Sequence, residues 1–467
     1  MRTLIVAANQ EHKPDPVVPL GAALVAGAAR AAGHEVHFYD ACFAGTRWPE
    51  ELRVALQVFK PEVVGLSLRN VDDVAWPRAT SYLPHYRAVA RTIRDHAPLA
   101  KLVLGGSAFS LFPHEFLREL GADYGIGGEG EQAFVELLSH LSAGRQPKLL
   151  TFATPLDAPG NDVLPALDLV DLDTYYRRGG ALNVQTRRGC PFLCNYCTYP
   201  ALEGGVSRPA EIERVVASLA HLHHERGFDH FFVVDNTFNV PAPHALAFCA
   251  ELARRKLGVR WSAYVTPAGL SREVVQAMAV AGCTSVDLGT DAAAAPTLAA
   301  LGKSFTCAEI EAACAWLREA RIRFSHSLIL GGPGETPETL RATREFVNAT
   351  RPTAVIAMLG VRLYPGTALA KQAAREGLLG DRTLGLEPVF YLSDDVKDQL
   401  EAFAQETREQ YPLWYFPGLE GDRWQRYWQR QRAHGARGPL WALREQSISN
   451  SSGPSNAVQM KGASHEK

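Results

Sequence analysis

Short apolar runs alternate with amphipathic stretches through the first 145 residues. Leu4–Ala8 reads as a first strand, and Leu20–Ala32 as an Ala/Leu-rich helix that stops at Gly33. Glu35–Tyr39 is strand-like, and Pro49–Phe59 is helical with its proline at the start. Val63–Leu68 is apolar and β-branched, the pattern of a buried strand. Thr80–His96 reads as a helix ending before Pro98, and Leu102–Leu104 as a strand closed by Gly105-Gly106. Pro113–Leu120 is helical, Tyr124–Ile126 starts another strand, and Glu131–Leu141 is helical. Five βα units predict an α/β fold with a doubly wound, Rossmann-like parallel sheet over residues 1–145. Ligands of such sheets sit beyond the carboxyl ends of the strands.

Residues 146–180 read as a linker, because Pro147, Pro155, Pro159, Gly160 and Pro165 interrupt any periodicity. A second alternation runs over 181–375, with strands expected at Leu182–Thr186, Phe231–Asp235, Arg260–Val265, Ser285–Leu288, Arg323–Leu330 and Ala354–Gly360. Six units suit a partial (β/α)6 barrel, though an open parallel sheet has the same periodicity. Residues 376–446 are aromatic and charged and are expected to be a mostly helical appendage; 447–467 are expected to be a disordered tail.

Composition narrows the function classes. Lys plus Arg number 48 and Asp plus Glu 50 in 467 residues, so no basic excess points to nucleic acid. No apolar run is long enough for a membrane span, and the N-terminus lacks a signal-peptide pattern. A cytoplasmic location and reduced thiols are expected, so the eight cysteines are not a disulfide framework.

Three of them form the spacing C-x3-C-x2-C: Cys190, Cys194 and Cys197, directly after the first strand of the second unit. Three thiolates on one loop can hold three irons of a [4Fe–4S] cube and leave the fourth iron open for substrate chemistry. A zinc site with a fourth ligand from His221, His223 or His224, or a redox pair of Cys194 and Cys197, are the alternatives on spacing alone. Cys42, Cys249, Cys283, Cys307 and Cys314 are expected to be small core residues.

The cysteine loop, with Tyr196 as the aromatic before its last cysteine, resembles the signature of radical S-adenosylmethionine (SAM) enzymes. Further segments resemble that family in order: Val233–Asn239, Ser285–Asp291 with Asp287 where the family has Glu, Leu328–Glu335, and Leu363–Thr367. The resemblance implies that Cys190, Cys194 and Cys197 ligate the cluster. It also implies that Tyr196 packs near the adenine of SAM and that Asp235 and Asn236 contact its methionine part. Asp287 would reach the ribose, and Ile329 and Gly331 would line the adenine.

The first 145 residues resemble the cobalamin-binding domains fused to such barrels, through Pro19–Leu24, Ala32–Val36, Lys60–Ser67, Val103–Ser107 and Tyr124–Glu131. Ser67, Leu68, Arg69, Asn70, Gly105, Gly106, Ser107, Gly128, Glu129 and Gly130 are the implied cobalamin contacts. The D-x-H-x-x-G motif that would place a histidine under cobalt is missing, and His12 lacks that spacing. Arg69 is expected at the lower face instead, where a guanidinium has no lone pair to give the metal. Capping the next helix or pairing with Asp72 or Asp73 is its alternative.

The combination resembles cobalamin-dependent radical SAM enzymes. It implies a methyltransferase acting on an unactivated carbon of a small molecule, through methylcobalamin and a 5′-deoxyadenosyl radical. An electron donor such as flavodoxin or ferredoxin is implied as partner. A cyclase or ring-rearranging enzyme of tetrapyrrole, cobamide-ligand or natural-product biosynthesis is the alternative, and a non-enzymatic cobalamin sensor the alternative from another class.

Overall fold

The computed structural model describes residues 1–157, 165–419 and 422–443. The first sheet is parallel throughout: β1 (Arg2–Ala7), β2 (Glu35–Asp40), β3 (Val63–Ser67), β4 (Lys101–Gly105), β5 (Tyr124–Gly127) and β6 (Leu150–Phe152). Their order is β2-β1-β3-β4-β5-β6. The order reverses between β1 and β3, which opens a crevice beyond their carboxyl ends. The doubly wound sheet is therefore as expected, but it has a sixth strand taken from the segment read as linker. That segment also holds the helix Leu172–Gly179, capped by the Asp171 carboxylate accepting from Thr174 N. Its residues 158–164, Pro159 and Gly160 among them, lie outside the described ones.

The helix expected at Thr80 begins at Leu83. The preceding turn is held by Asp73, whose carboxylate accepts from the amides of Ala75 and Thr80 at 3.1 and 2.8 Å.

After β7 (Leu182–Val184), a short antiparallel ladder of β8 (Arg187–Arg188) and β9 (Arg208–Pro209) brackets the cysteine segment. There follow β10 (His230–Val233), β11 (Arg260–Val265), β12 (Cys283–Asp291), β13 (Arg323–Leu330), β14 (Ala354–Leu359), the ladder β15 (Val361–Arg362) with β16 (Phe390–Tyr391), and β17 (Trp414–Tyr415). The second sheet runs β17-β14-β13-β12-β11-β10-β7, all parallel. The first strand ends at Val184 because Thr186 leaves the sheet to bind Asp235 through its amide and hydroxyl.

The C-terminal region is less helical than expected. Besides the helices Leu400–Gln410 and Asp422–Ala433 it supplies β16 and β17, so a seventh strand joins the barrel sheet. Trp414 anchors that strand: it is fully buried and its indole N–H donates to Asn348 Oδ1 at 2.9 Å. The tail 447–467 lies outside the described residues. Among the described residues, no helix is long and apolar enough to cross a membrane.

The two sheets meet at their carboxyl ends. Arg362 of β15 donates to Asp72 of the first unit at 3.0 Å, and Val18 N donates to Asn183 Oδ1 at 3.0 Å. Between them lies a cavity of about 1220 Å³ lined from both sides.

Candidate active site

The cysteine loop is held rigidly at its root. Arg187 is buried; its guanidinium donates to Gly189 O at 2.7 Å and to the carbonyl and hydroxyl of Thr237. Gly189 has φ +86°, and a Cβ there would sit 2.0 Å from Val206 O, so only glycine lets the chain turn into Cys190. Past the last cysteine, the short helix Tyr199–Glu203 returns Glu203, which accepts from Gly189 N at 3.1 Å and from Asn236 Nδ2 at 2.8 Å.

Among the described residues no three His, Cys, Asp or Glu side chains converge as a single ion requires. The three cysteines are nevertheless within mutual electrostatic reach. Three thiolates are the ligand set of a [4Fe–4S] cube with one open iron. Burial raises the Cys194 thiol, with the Lys303 ammonium pulling the other way, and pushes Cys197 up to about 12. Thiolates in such a place need positive charge among them, which iron would bring.

The residues expected around SAM divide. Asn236 does not border the cavity itself but donates to Glu203, which does, and Asp287 lines the cavity. Asp287 accepts from Ser325 Oγ at 2.7 Å, and burial pushes it up to about 6. Tyr196 and Ile329 share one apolar cluster with Val361 and Leu363. Asp235 takes a different place: its oxygens are occupied by Thr186 and the Arg187 amide, and burial pushes it up to about 6. It buttresses the cysteine loop. Gly331 does not border the cavity either. A Cβ there would be 2.6 Å from a Leu400 methyl, so packing and its φ of +84° explain the glycine.

On the other wall, Ser67, Arg69, Asn70, Gly105, Gly106, Ser107, Gly128, Glu129 and Gly130 all border the cavity. Leu68 does not; its side chain is in the core, and its carbonyl accepts from Ala108 N at 3.0 Å. Gly106, at φ +96°, would place a Cβ 2.4 Å from that carbonyl. The Glu129 carboxylate also departs from its expected role, being engaged by Arg188 and Arg208. Arg69 has no hydrogen-bonding or ion-pair partner among the described side chains. Asp72 is taken by Arg362 and Asp73 by backbone amides, so Arg69 pairs with neither, and the next helix, Leu83–His96, has no side-chain cap.

Residues 12–138 match the B12 binding domain family, and residues 184–347 match the radical SAM superfamily. The chain belongs to the cobalamin-binding radical SAM enzymes. An uncharacterized methyltransferase of Pyrococcus horikoshii is 27% identical over 433 residues, covering 87% of this chain and 91% of that protein. A tryptophan 2-C-methyltransferase of Streptomyces laurentii is 25% identical over 448 residues, covering 80% and 74%. A solved structure of the radical SAM methyltransferase TsrM from Kitasatospora setae, with tryptophan and a SAM analogue bound, shares the fold with a TM-score of 0.85. Its identity is 22%, and the match covers 96% of this chain and 99% of that one.

In this cobalamin-binding radical SAM enzyme the glycine-lined wall is open where a corrin would lie, since a Cβ at Gly105 or Gly128 would meet nothing closer than 3.5 Å. Several site residues lack a sequence signal. Lys303 is a lone cation in the apolar stretch Leu298–Phe305, yet it donates to Cys194 Sγ at 3.5 Å and Tyr196 Oη at 3.2 Å and pairs with Asp291. Tyr196 itself donates to Asp291, so its ring is fixed by that network. Tyr199 and Tyr264 supply aromatic wall on the barrel side. Of the five remaining cysteines, four are buried as expected; Cys307 is only half-buried, at the start of a helix.

Proposed function

We propose that this enzyme transfers a methyl group to an unactivated carbon of a small molecule held between its two sheets. The observation that carries the reading is the cavity of about 1220 Å³, bordered by the cobalamin-side glycines on one wall and by Tyr199 and Glu203 of the cysteine segment on the other. A substrate there borders the cobalamin-side wall and, through Tyr199, Leu202 and Glu203, the segment that follows the cysteines, the juxtaposition that proximity catalysis requires. When bound, the [4Fe–4S] cluster supplies the electron that cleaves SAM, and cobalamin carries the methyl group.

The chain's own residues bind and orient. Cys190, Cys194 and Cys197 hold the cluster. Asn236 and Glu203 receive the amino-acid part of SAM, and Tyr196 with Ile329 flanks its adenine. Asp287, one hydrogen bond from Ser325, takes a hydroxyl or N–H donor deeper in the barrel. Arg69 presents a permanent cation to the corrin face without offering it a lone pair. The aromatic walls of Tyr199 and Tyr264 suit a planar substrate, in keeping with the tryptophan that the Streptomyces laurentii relative's name specifies. An external electron donor of the flavodoxin or ferredoxin class would approach at Leu193, which is 85% exposed beside Cys194. We place the reaction in the cytoplasm, where thiols stay reduced.

The test is anaerobic reconstitution with iron, sulfide and cobalamin, followed by incubation with methyl-labelled SAM and candidate aromatic substrates. Label in a carbon-bound methyl of the product, with release of deoxyadenosine or S-adenosylhomocysteine, is the expected result. A product formed without label overturns methyl transfer.

A further inference from the structure

We infer that Arg188, gripped by Glu129 and Glu131, is a positioning residue that fixes the cluster loop relative to the cobalamin site. The inference rests on the cofactor assignment above. Arg188 lies on β8, two residues before the first cluster ligand. Glu129 and Glu131 flank Gly130 at the start of the helix Gly130–Ser142, where Gly128–Gly130 border the cavity. Arg188 Nη2 donates to Glu131 Oε1 at 2.6 Å, and Nη1 is 3.3 Å from Glu129 Oε2. Arg208, on the paired strand β9, grips Glu129 from the other side. The side chains of Arg188, Glu129 and Glu131 are 8%, 5% and 6% exposed.

Two cations and two anions thus close a neutral, buried box between the two units. Sliding either unit would leave charges unpaired away from water, which is costly. Apolar residues could supply comparable stability, so what the ion pairs add is a defined relative position. The contacts also run on to the metal. Arg188 Nε donates to Gln185 Oε1 at 3.0 Å, and Glu203 accepts from Gln185 at 3.4 Å and from the Gly189 amide at 3.1 Å, next to Cys190. One hydrogen-bonded chain therefore joins the cobalamin wall to the cluster loop. Transfer between two bound groups tolerates little error, since a 1 Å misplacement costs about 100-fold in rate.

The test compares the wild-type holoenzyme with Glu131→Gln, Arg188→Met and Arg188→Lys. Iron, cobalamin and melting temperature are measured first. The cluster and cobalamin are then brought to their paramagnetic states, and the enhancement of the cobalamin spin's relaxation by the cluster is read. Loss of that enhancement in Glu131→Gln and Arg188→Met, with cofactor content kept and partial return in Arg188→Lys, is expected. Loss of the cluster alone from Glu131→Gln, a residue outside the loop, also supports the inference. Where Arg188→Met does not fold, the isosteric Glu131→Gln decides. Wild-type relaxation in the variants overturns it, as does joint loss of both cofactors with a lowered melting temperature, which marks a merely structural pair. Failure of the wild-type protein to bind either cofactor would instead overturn the cofactor assignment.

Discussion

The ammonium of Lys303 lies 3.5 Å from the sulfur of Cys194 and pairs on its other side with Asp291. Burial would lower Lys303, but Asp291 and Cys194 outweigh it and hold the lysine above its usual value, so it stays charged. A cation donating to a cluster sulfur stabilises the more negative, reduced cluster. Lys303→Met is therefore expected to lower the cluster's midpoint potential, with iron content unchanged, in a potentiometric titration followed by electron paramagnetic resonance. An unaltered potential would show that Asp291 already cancels the charge.

The ion pair of Arg362 and Asp72 crosses between the two units with both side chains essentially buried. Removing one partner leaves the other charge stranded, at about 3–5 kcal/mol. Arg362→Met should lose stability by about that amount in urea unfolding of the holoenzyme, and the double variant Arg362→Met/Asp72→Asn should recover most of it. Additive losses would show that the pair carries no coupling.

His326 gives a prediction in pH. It is fully buried, with hydrogen bonds to Thr290 Oγ1 at 2.7 Å and Thr350 Oγ1 at 2.9 Å, and burial lowers its pKa to about 3. The folded state holds it neutral while the unfolded chain protonates near 6.5. The unfolded state thus binds more protons below that value, and stability falls as pH drops from 6.5 toward 3. Between pH 7 and pH 5 this one residue removes about 2 kcal/mol. Denaturant melts of His326→Gln should lack that share of the slope; an identical slope would assign the acid sensitivity elsewhere.

Most strands were legible because buried parallel strands are nearly continuous apolar runs, as at Val63–Ser67 and Ala354–Leu359. The strand Leu150–Phe152 was not, being three residues long between Pro147 and Pro155. Trp414–Tyr415 was hidden within an aromatic run whose strand character comes from pairing with Val355 and Ile356. The cysteines were legible from their spacing, a local property. The contacts of Arg188 with Glu131 and of Lys303 with Cys194 span 57 and 109 residues, and no local pattern announces them. The same limit explains Asp235. A polar residue at a strand end reads alike whether it faces a ligand or, as here, receives the Thr186 amide at 2.7 Å.

The proposed place of Arg69 at the corrin face carries a prediction about cobalt. Arg69 borders the cavity with Ser67, Asn70 and Ser107, and its side chain has no partner among the described residues to draw it away. A permanent cation without a lone pair disfavours a ligand on the face it covers and favours the electron-rich, lower oxidation states of the metal. Arg69→Ala should therefore lower the potential for reducing cob(II)alamin and shift its absorption toward a water-ligated form. Arg69→His offers a ring nitrogen at the same point, and its cob(II)alamin resonance should gain nitrogen splitting absent from the wild type. Unchanged spectra in both variants would place Arg69 away from the corrin and leave its charge to the substrate.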